Sequence, residues 1–228
     1  MVENDLISEG ECKYCKAVVA QNKITTHFTK HLKEIAKAKT TEKQSAHLVI
    51  SAGPYFLHVL ISADAELEEL DQFLRKIWLE CCGHLSSFSY ERWGDEMEMD
   101  TEIVDAFGFK NKLEYCYDFG TSTELTISLK NIYAIETEEL VLLSRNEPLK
   151  ILCSKCNKNI ATSICSVHLY DGEGYLCKDC EKTHKKECED YADYAKMKLV
   201  NSPRVGDCAY EGGFIDKKRD GVYKEKVK

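Results

Sequence analysis

Cys12 and Cys15 stand three residues apart, and His27 and His31 stand four apart a little further on. Two thiols at that spacing reach one ion from a single tight turn. Two imidazoles at that spacing share one face of a helix, so the four donors close a tetrahedron. The run Cys12-x2-Cys15-x11-His27-x3-His31 has the spacing of a C2H2-type zinc finger, with an inner segment one residue short of the commonest. Val19 and Ile24 fall where such a unit places its small core, and metal binding is expected to supply most of its stability. Ala20, Lys23 and Thr26 occupy the positions from which a recognition helix meets DNA. Of these, Lys23 has the reach for a base or a phosphate. A folding or protein-contact module accounts for the same residues.

A second series holds eight donors in four pairs: Cys153 and Cys156, Cys165 and His168, Cys177 and Cys180, His184 and Cys188. Alternating pairing, as in cross-brace modules, gives one ion to Cys153, Cys156, Cys177 and Cys180. The other goes to Cys165, His168, His184 and Cys188. Sequential pairing, or a single ribbon-like ion, also fits the spacing. The mixture of histidine and cysteine suits Zn²⁺ better than an iron–sulfur cluster. Three Zn²⁺ ions are expected, each with four protein ligands and no open position, which makes the sites structural. Cys208 lies outside the series and reads as a tail thiol. Cys81-Cys82-Gly83-His84 contains a further C-x2-H pair, read as a buried cysteine and a hydrogen-bonded histidine.

Twelve cysteines, most of them in pairs of this kind, argue for metal ligation in a reducing compartment, not for a disulfide framework. The polar, acidic start is unlike a secretory signal. No apolar run approaches the roughly 20 residues of a membrane helix. A cytoplasmic protein without membrane contact is expected. The net charge of −8 is uneven: residues 1–46 carry +2, residues 47–152 carry −12, and residues 153–228 carry +2. An acidic middle repels a phosphate backbone, so nucleic-acid contact would come from the ends.

These units need a platform. The composition divides the chain into a finger (1–36), a linker (37–46), a central domain (47–150), a Cys/His-rich unit (151–190) and a polar tail (191–228). The central domain reads as α+β, a mainly antiparallel sheet with one long helix, flanked by small zinc-stabilised units. Residues 47–61 form a strand pair or one bulged edge strand, interrupted at Gly53-Pro54. Asp64 is placed to cap a helix, whose apolar face runs through Leu67, Leu70, Phe73, Leu74, Ile77, Trp78 and Cys81 to a stop at Gly83. Residues 85–90 form a strand and 92–105 an acidic loop. Residues 113–117 and 124–129 alternate apolar and polar around a turn and form a hairpin; 139–145 adds a strand.

Three stretches carry a resemblance to a known family: 67–78 (LEELDQFLRKIW), 84–88 (HLSSF) and 115–120 (YCYDFG). In order and spacing they resemble the plasmid pRiA4b ORF-3-like family, also labelled a passenger protein of bacterial insertion elements. Members that resemble this chain also carry a Cys-rich C-terminal unit, followed by a segment like Asn201-Ser-Pro-Arg204 with a later Cys and Tyr. The resemblance implies an α+β domain and a prokaryotic, mobile-element setting. His84 and Asp118 match the family pattern and are the candidates for any shared binding site. Thr121 and Thr123 stand where members often have an acidic residue and a tryptophan.

No Ser/His/Asp order, paired-carboxylate site or phosphate-binding glycine loop stands out. The expected function is therefore non-enzymatic: binding of nucleic acid or protein through the zinc units. The alternatives are an enzyme with its site around His84 and Asp118, and a structural accessory subunit.

Overall fold

The computed structural model describes residues 6, 8–38, 41–216 and 219. The chain makes two compact units. The first combines Ile7–Arg75 with His84–Glu147; the second combines Met1–Leu6, Lys76–Gly83 and Pro148–Lys228. These units divide the chain differently from its composition: the finger and the central domain form one body.

In the first unit, β1 (Glu9–Glu11) and β2 (Val18–Ala20) form a short antiparallel hairpin that leads directly into α1 (Gln21–Ala38). The main sheet contains β3 (Ser45–Ala52), β4 (Tyr55–Ser62), β5 (Ser86–Ser89), β6 (Lys112–Tyr117), β7 (Thr123–Tyr133) and β8 (Val141–Arg145). Its order is β5-β6-β7-β3-β4-β8, and every pairing is antiparallel. The fold is α+β, as expected. Residues 47–61 are the strand pair, turned at Gly53 with φ 56°, and neither strand is an edge. The only bulge of β3 lies at His47/Leu48, against β7.

The longest helix is α1, with 18 residues, and not the helix of the central domain. That central helix, α2 (Leu67–Leu74), continues as a π-helical turn over Arg75–Leu79. Asp64 does not cap it; Asp64 instead accepts a hydrogen bond from the Ser62 hydroxyl. The first N–H groups of α2 are satisfied by loop carbonyls, Leu67 N–H to Thr101 and Glu68 N–H to Met99, both at 2.9 Å. The acidic loop therefore helps to start the helix, and its last residues, 103–105, are not loop but the start of α3 (Ile103–Ala106).

The helices α1 and α2 cover opposite faces of the sheet. Register places Leu57 opposite Ile50, Ile50 opposite Ile127, Ile127 opposite Leu113, and Tyr115 opposite Leu125, all on one face. On that face Asp71 of α2 accepts from the Tyr115 hydroxyl at 2.7 Å. Phe56 and Leu60 point the other way, and there Ile24, Phe28 and Leu32 of α1 join them with Tyr133, Ile135 and Leu143 in one core. The finger is thus not an autonomous module. Gly10 shows how tightly it docks: a Cβ there would meet the Arg145 carbonyl at 2.8 Å and Phe56 Cζ at 2.9 Å. Gly10 also bridges Asn146 beside β8.

Asp71 is buried and takes three hydrogen bonds, from Tyr115, from the Ser86 hydroxyl at 2.6 Å and from Arg75 Nε at 2.6 Å. The Arg75 guanidinium also lies over the Tyr117 ring. Asp71→Ala removes the buried acceptor that Tyr115, Ser86 and Arg75 share. It is expected to cost about 3–5 kcal/mol of stability, read as a lower urea midpoint, with Asp71→Asn costing less.

In the second unit, β9 (Ser163–Cys165), α4 (Ser166–Leu169), β10 (Tyr175–Leu176), α5 (Lys178–Glu187) and β11 (Lys196–Lys198) build a small layer with strand order β10-β9-β11. The expected polar tail is mostly not one. Asn201, Ser202, Arg204 and Tyr210 are buried. The Ser202 hydroxyl donates to the Trp78 carbonyl at 2.7 Å, and Phe214 N–H donates to the Lys76 carbonyl at 2.7 Å. The Lys-rich last dozen residues lie outside the described residues, Arg219 excepted.

Candidate metal centres

The twelve residues chosen from spacing gather into three sets of four, and within each set the donor atoms lie within 4.8 Å of one another. Cys12, Cys15, His27 and His31 form the set in the first unit. Cys153, Cys156, Cys177 and Cys180 form another, and Cys165, His168, His184 and Cys188 the last, so the pairs alternate. Ala20 ends β2 and is not on the helix.

Local geometry explains each set. The Cys12 carbonyl accepts the Lys16 N–H at 3.0 Å, and the Cys153 carbonyl accepts the Asn157 N–H at 2.8 Å. The accepting turns close through residues of positive φ, Lys16 at 63° and Asn157 at 51°. The two ends of the chain thus build the same turn. Burial pushes the Cys12 thiol up, against the opposing N–H groups of Cys15 and Tyr14, whereas at Cys156 the N–H groups of Asn159 and Lys158, and at Cys177 that of Cys180, point at sulfur and prevail. Such donors favour thiolate. Cys156 falls to about 6 by this cause, whereas Cys180, desolvated first and then hydrogen-bonded to the neighbouring thiols, is pushed up to about 12. Helix α5 separates the two C-terminal sets: Cys177 and Cys180 stand at its start, His184 and Cys188 at its end.

The side chains fit an ion. Cys15 Sγ lies 3.3 Å from His27 Nε2, and His27 Nε2 lies 3.2 Å from His31 Nε2. Cys156 and Cys177 sulfurs are 4.0 Å apart. His168 Nδ1 is 3.2 Å from Cys165 Sγ and 3.9 Å from Cys188 Sγ. A tetrahedron with donors about 2.0–2.3 Å from its centre has edges of about 3.3–3.8 Å. His184 Nε2 is buried with no hydrogen-bond partner. Such an orphan inside a protein costs about 1–3 kcal/mol, a cost that a coordinated cation removes. The His27 imidazole is held below its ordinary range by desolvation and by His31 and Lys30, which keeps it a neutral ligand.

His84 and Asp118 also come together, with His84 Nε2 at 3.5 Å from Asp118 Oδ2. Asp118 is a turn residue with φ 66°, and its Oδ1 accepts the N–H groups of Gly120 at 3.0 Å and Thr121 at 3.2 Å. His84 packs edge-on against Tyr117. A groove of about 240 Å³ lies in the same unit, bordered by Arg92, Trp93, Glu114, Cys116, Phe119 and Glu124. Neither His84 nor Asp118 lines it.

Two groupings escape the spacing argument. His47 and His58 face each other in the core beneath Phe28, with His47 Nε2 3.0 Å from His58 Nδ1. In the second unit Cys208 meets Cys82, 126 residues away, with sulfurs 3.3 Å apart. The adjacency of Cys81 and Cys82 was the available signal; the long return of the chain to them was not legible.

No protein-family model and no curated protein matches the chain. Among solved structures, a protein of unknown function from Methanosarcina mazei Go1 is similar at 16% identity, with a TM-score of 0.36 over 46% of this chain and 68% of that one. No described helix is long and apolar enough to cross a membrane.

Proposed function

We propose that the three four-donor sets hold zinc as closed structural sites, and that the protein binds nucleic-acid backbones through the solvent face of α1. One all-cysteine and two mixed Cys/His sets of four suit zinc, and four protein ligands leave no position for a reacting water. The binding role rests on one observation. At about 100° per residue, Lys23, Thr26, Lys30, Lys33 and Lys37 fall within about 80° of one another around α1, and all five are exposed. Ile24, Phe28 and Leu32 hold the opposite side in the core, while His27 and His31 tie the helix to the cysteine turn. The result is a rigid basic stripe with the point charges suited to phosphate contact. The mobile-element setting implied by the pRiA4b ORF-3-like resemblance is compatible with such a role.

Fluorescence anisotropy with mixed-sequence duplex DNA and RNA tests this. Log affinity is expected to fall against log salt with a slope of about −3 to −4 on the duplex, one counterion per lysine. Lys30→Ala with Lys33→Ala is expected to reduce the slope by about 2. Absence of salt-dependent binding at low ionic strength, with metal loaded, removes the nucleic-acid reading and leaves a protein partner for the same surface.

A further inference from the structure

We propose a fourth metal site of a different kind, in which Cys81, Cys82 and Cys208 bind a thiophilic cation as three thiolates. All three belong to the second unit. Cys82 Sγ lies 3.7 Å from Cys81 Sγ and 3.3 Å from Cys208 Sγ, and the donor atoms of the trio are within 4.8 Å of one another. None is in a disulfide. Three sulfurs around one ion at about 2.3 Å stand about 3.8–4.0 Å apart, so small movements seat a cation between them.

The surroundings are built for this charge. The chain segment that carries Cys208 is anchored by the buried Ser202, which donates to the Trp78 carbonyl three residues before Cys81. Arg204 is fully buried, and its guanidinium donates to Cys81 Sγ at 3.7 Å. A cationic neighbour stabilises thiolate. Three thiolates, a divalent ion and one guanidinium sum to zero charge, so the guanidinium beside Cys81 complements the loaded site. Cys208 and Ala209 both take left-handed backbone, at φ 47° and 52°, so the chain turns sharply where it presents the sulfur.

Exposure sets this site apart from the closed sets. Cys82 and Cys208 are exposed and Cys81 is partly so. An ion held here meets solvent and exogenous ligands, and it exchanges more readily than one enclosed by four protein donors. The site takes soft divalent cations such as Zn²⁺ and Cd²⁺.

The test uses the full chain, reconstituted under reducing conditions with Zn²⁺ or with Cd²⁺. Elemental analysis is expected to give one more ion per chain in the wild type than in the Cys81→Ser, Cys82→Ser, Cys208→Ser triple variant. Competition with a chromophoric chelator should remove that extra ion first. Cys208→Ser, at an exposed position that leaves the fold intact, should weaken the extra ion at least tenfold. A stoichiometry and chelator profile unchanged by either variant overturns the proposal. Ions lost from variants of the three closed sets report separately on the structural-zinc reading.

Discussion

Chelation at neutral pH is expected to unfold residues 153–199 while the six-stranded sheet keeps its protection. The C-terminal sets stand in a region of short strands and small apolar clusters. Its strands are two or three residues long. One of its apolar clusters is Cys165, Leu176, Cys188, Tyr191 and Ala195, in which two of the five members are themselves candidate metal ligands. Another centres on Ala161, Ile164 and Leu199. Cores of this size do not offset chain entropy without a metal or a disulfide. A structural zinc contributes on the order of 10 kcal/mol to folding, so removal of two ions outweighs what these small clusters supply. The N-terminal set behaves differently. Ile24, Phe28 and Leu32 share a core with Phe56, Leu60 and Tyr133. Without its ion, α1 stays docked and only the cysteine turn loosens. Hydrogen exchange read by mass spectrometry, with and without chelator, checks both halves. Unchanged exchange over 153–199 sinks the metal assignment there, and full exchange of α1 sinks the shared-core argument.

The second large effect is a loss of stability in acid that originates in His47 and His58. Both are buried, one ring nitrogen of each facing the other, beneath Phe28 of α1. Burial first, and then Lys130, lowers His47 to about 4; burial, then His47 and Lys130, holds His58 well below the ordinary histidine range. The unfolded chain therefore binds more protons than the folded one between about pH 6.5 and 4. The stabilisation is fully present above that window and is lost as pH falls through it. For His47 the shift corresponds to about 3 kcal/mol, and His58 adds to it. Urea denaturation at pH 7 and pH 4.5 is expected to show a steeper fall for the wild type than for His47→Leu. Acid release of metal acts on both proteins and cancels in the comparison. Parallel pH profiles would refute the assignment.

Much of the candidate site was legible because metal ligation is local in sequence. A C-x2-C turn and a His-x3-His helix each present two donors with no help from the rest of the fold. The hairpin of β6 and β7 was legible for a similar reason, since alternation of Leu113, Tyr115 and Tyr117 with polar residues encodes one buried face. The start of α2 was not. Its capping partners are carbonyls of Met99 and Thr101, some thirty residues away, so Asp64 looked like a cap and is not one. The finger looked autonomous because its apolar residues are few. They are few because Phe56, Leu60, Tyr133 and Leu143 complete their core from other strands.

The sequence by itself determined which twelve residues form the candidate donor sets, how they pair into turns and helix faces, and that an antiparallel α+β domain lies between them. Those properties depend on neighbours within a few residues. Only the tertiary structure decided that alternate C-terminal pairs share a set, that His47 meets His58, and that Cys208 returns to Cys81 and Cys82. Each joins residues far apart along the chain, and their approach is set by the packing of whole elements, which no local spacing records.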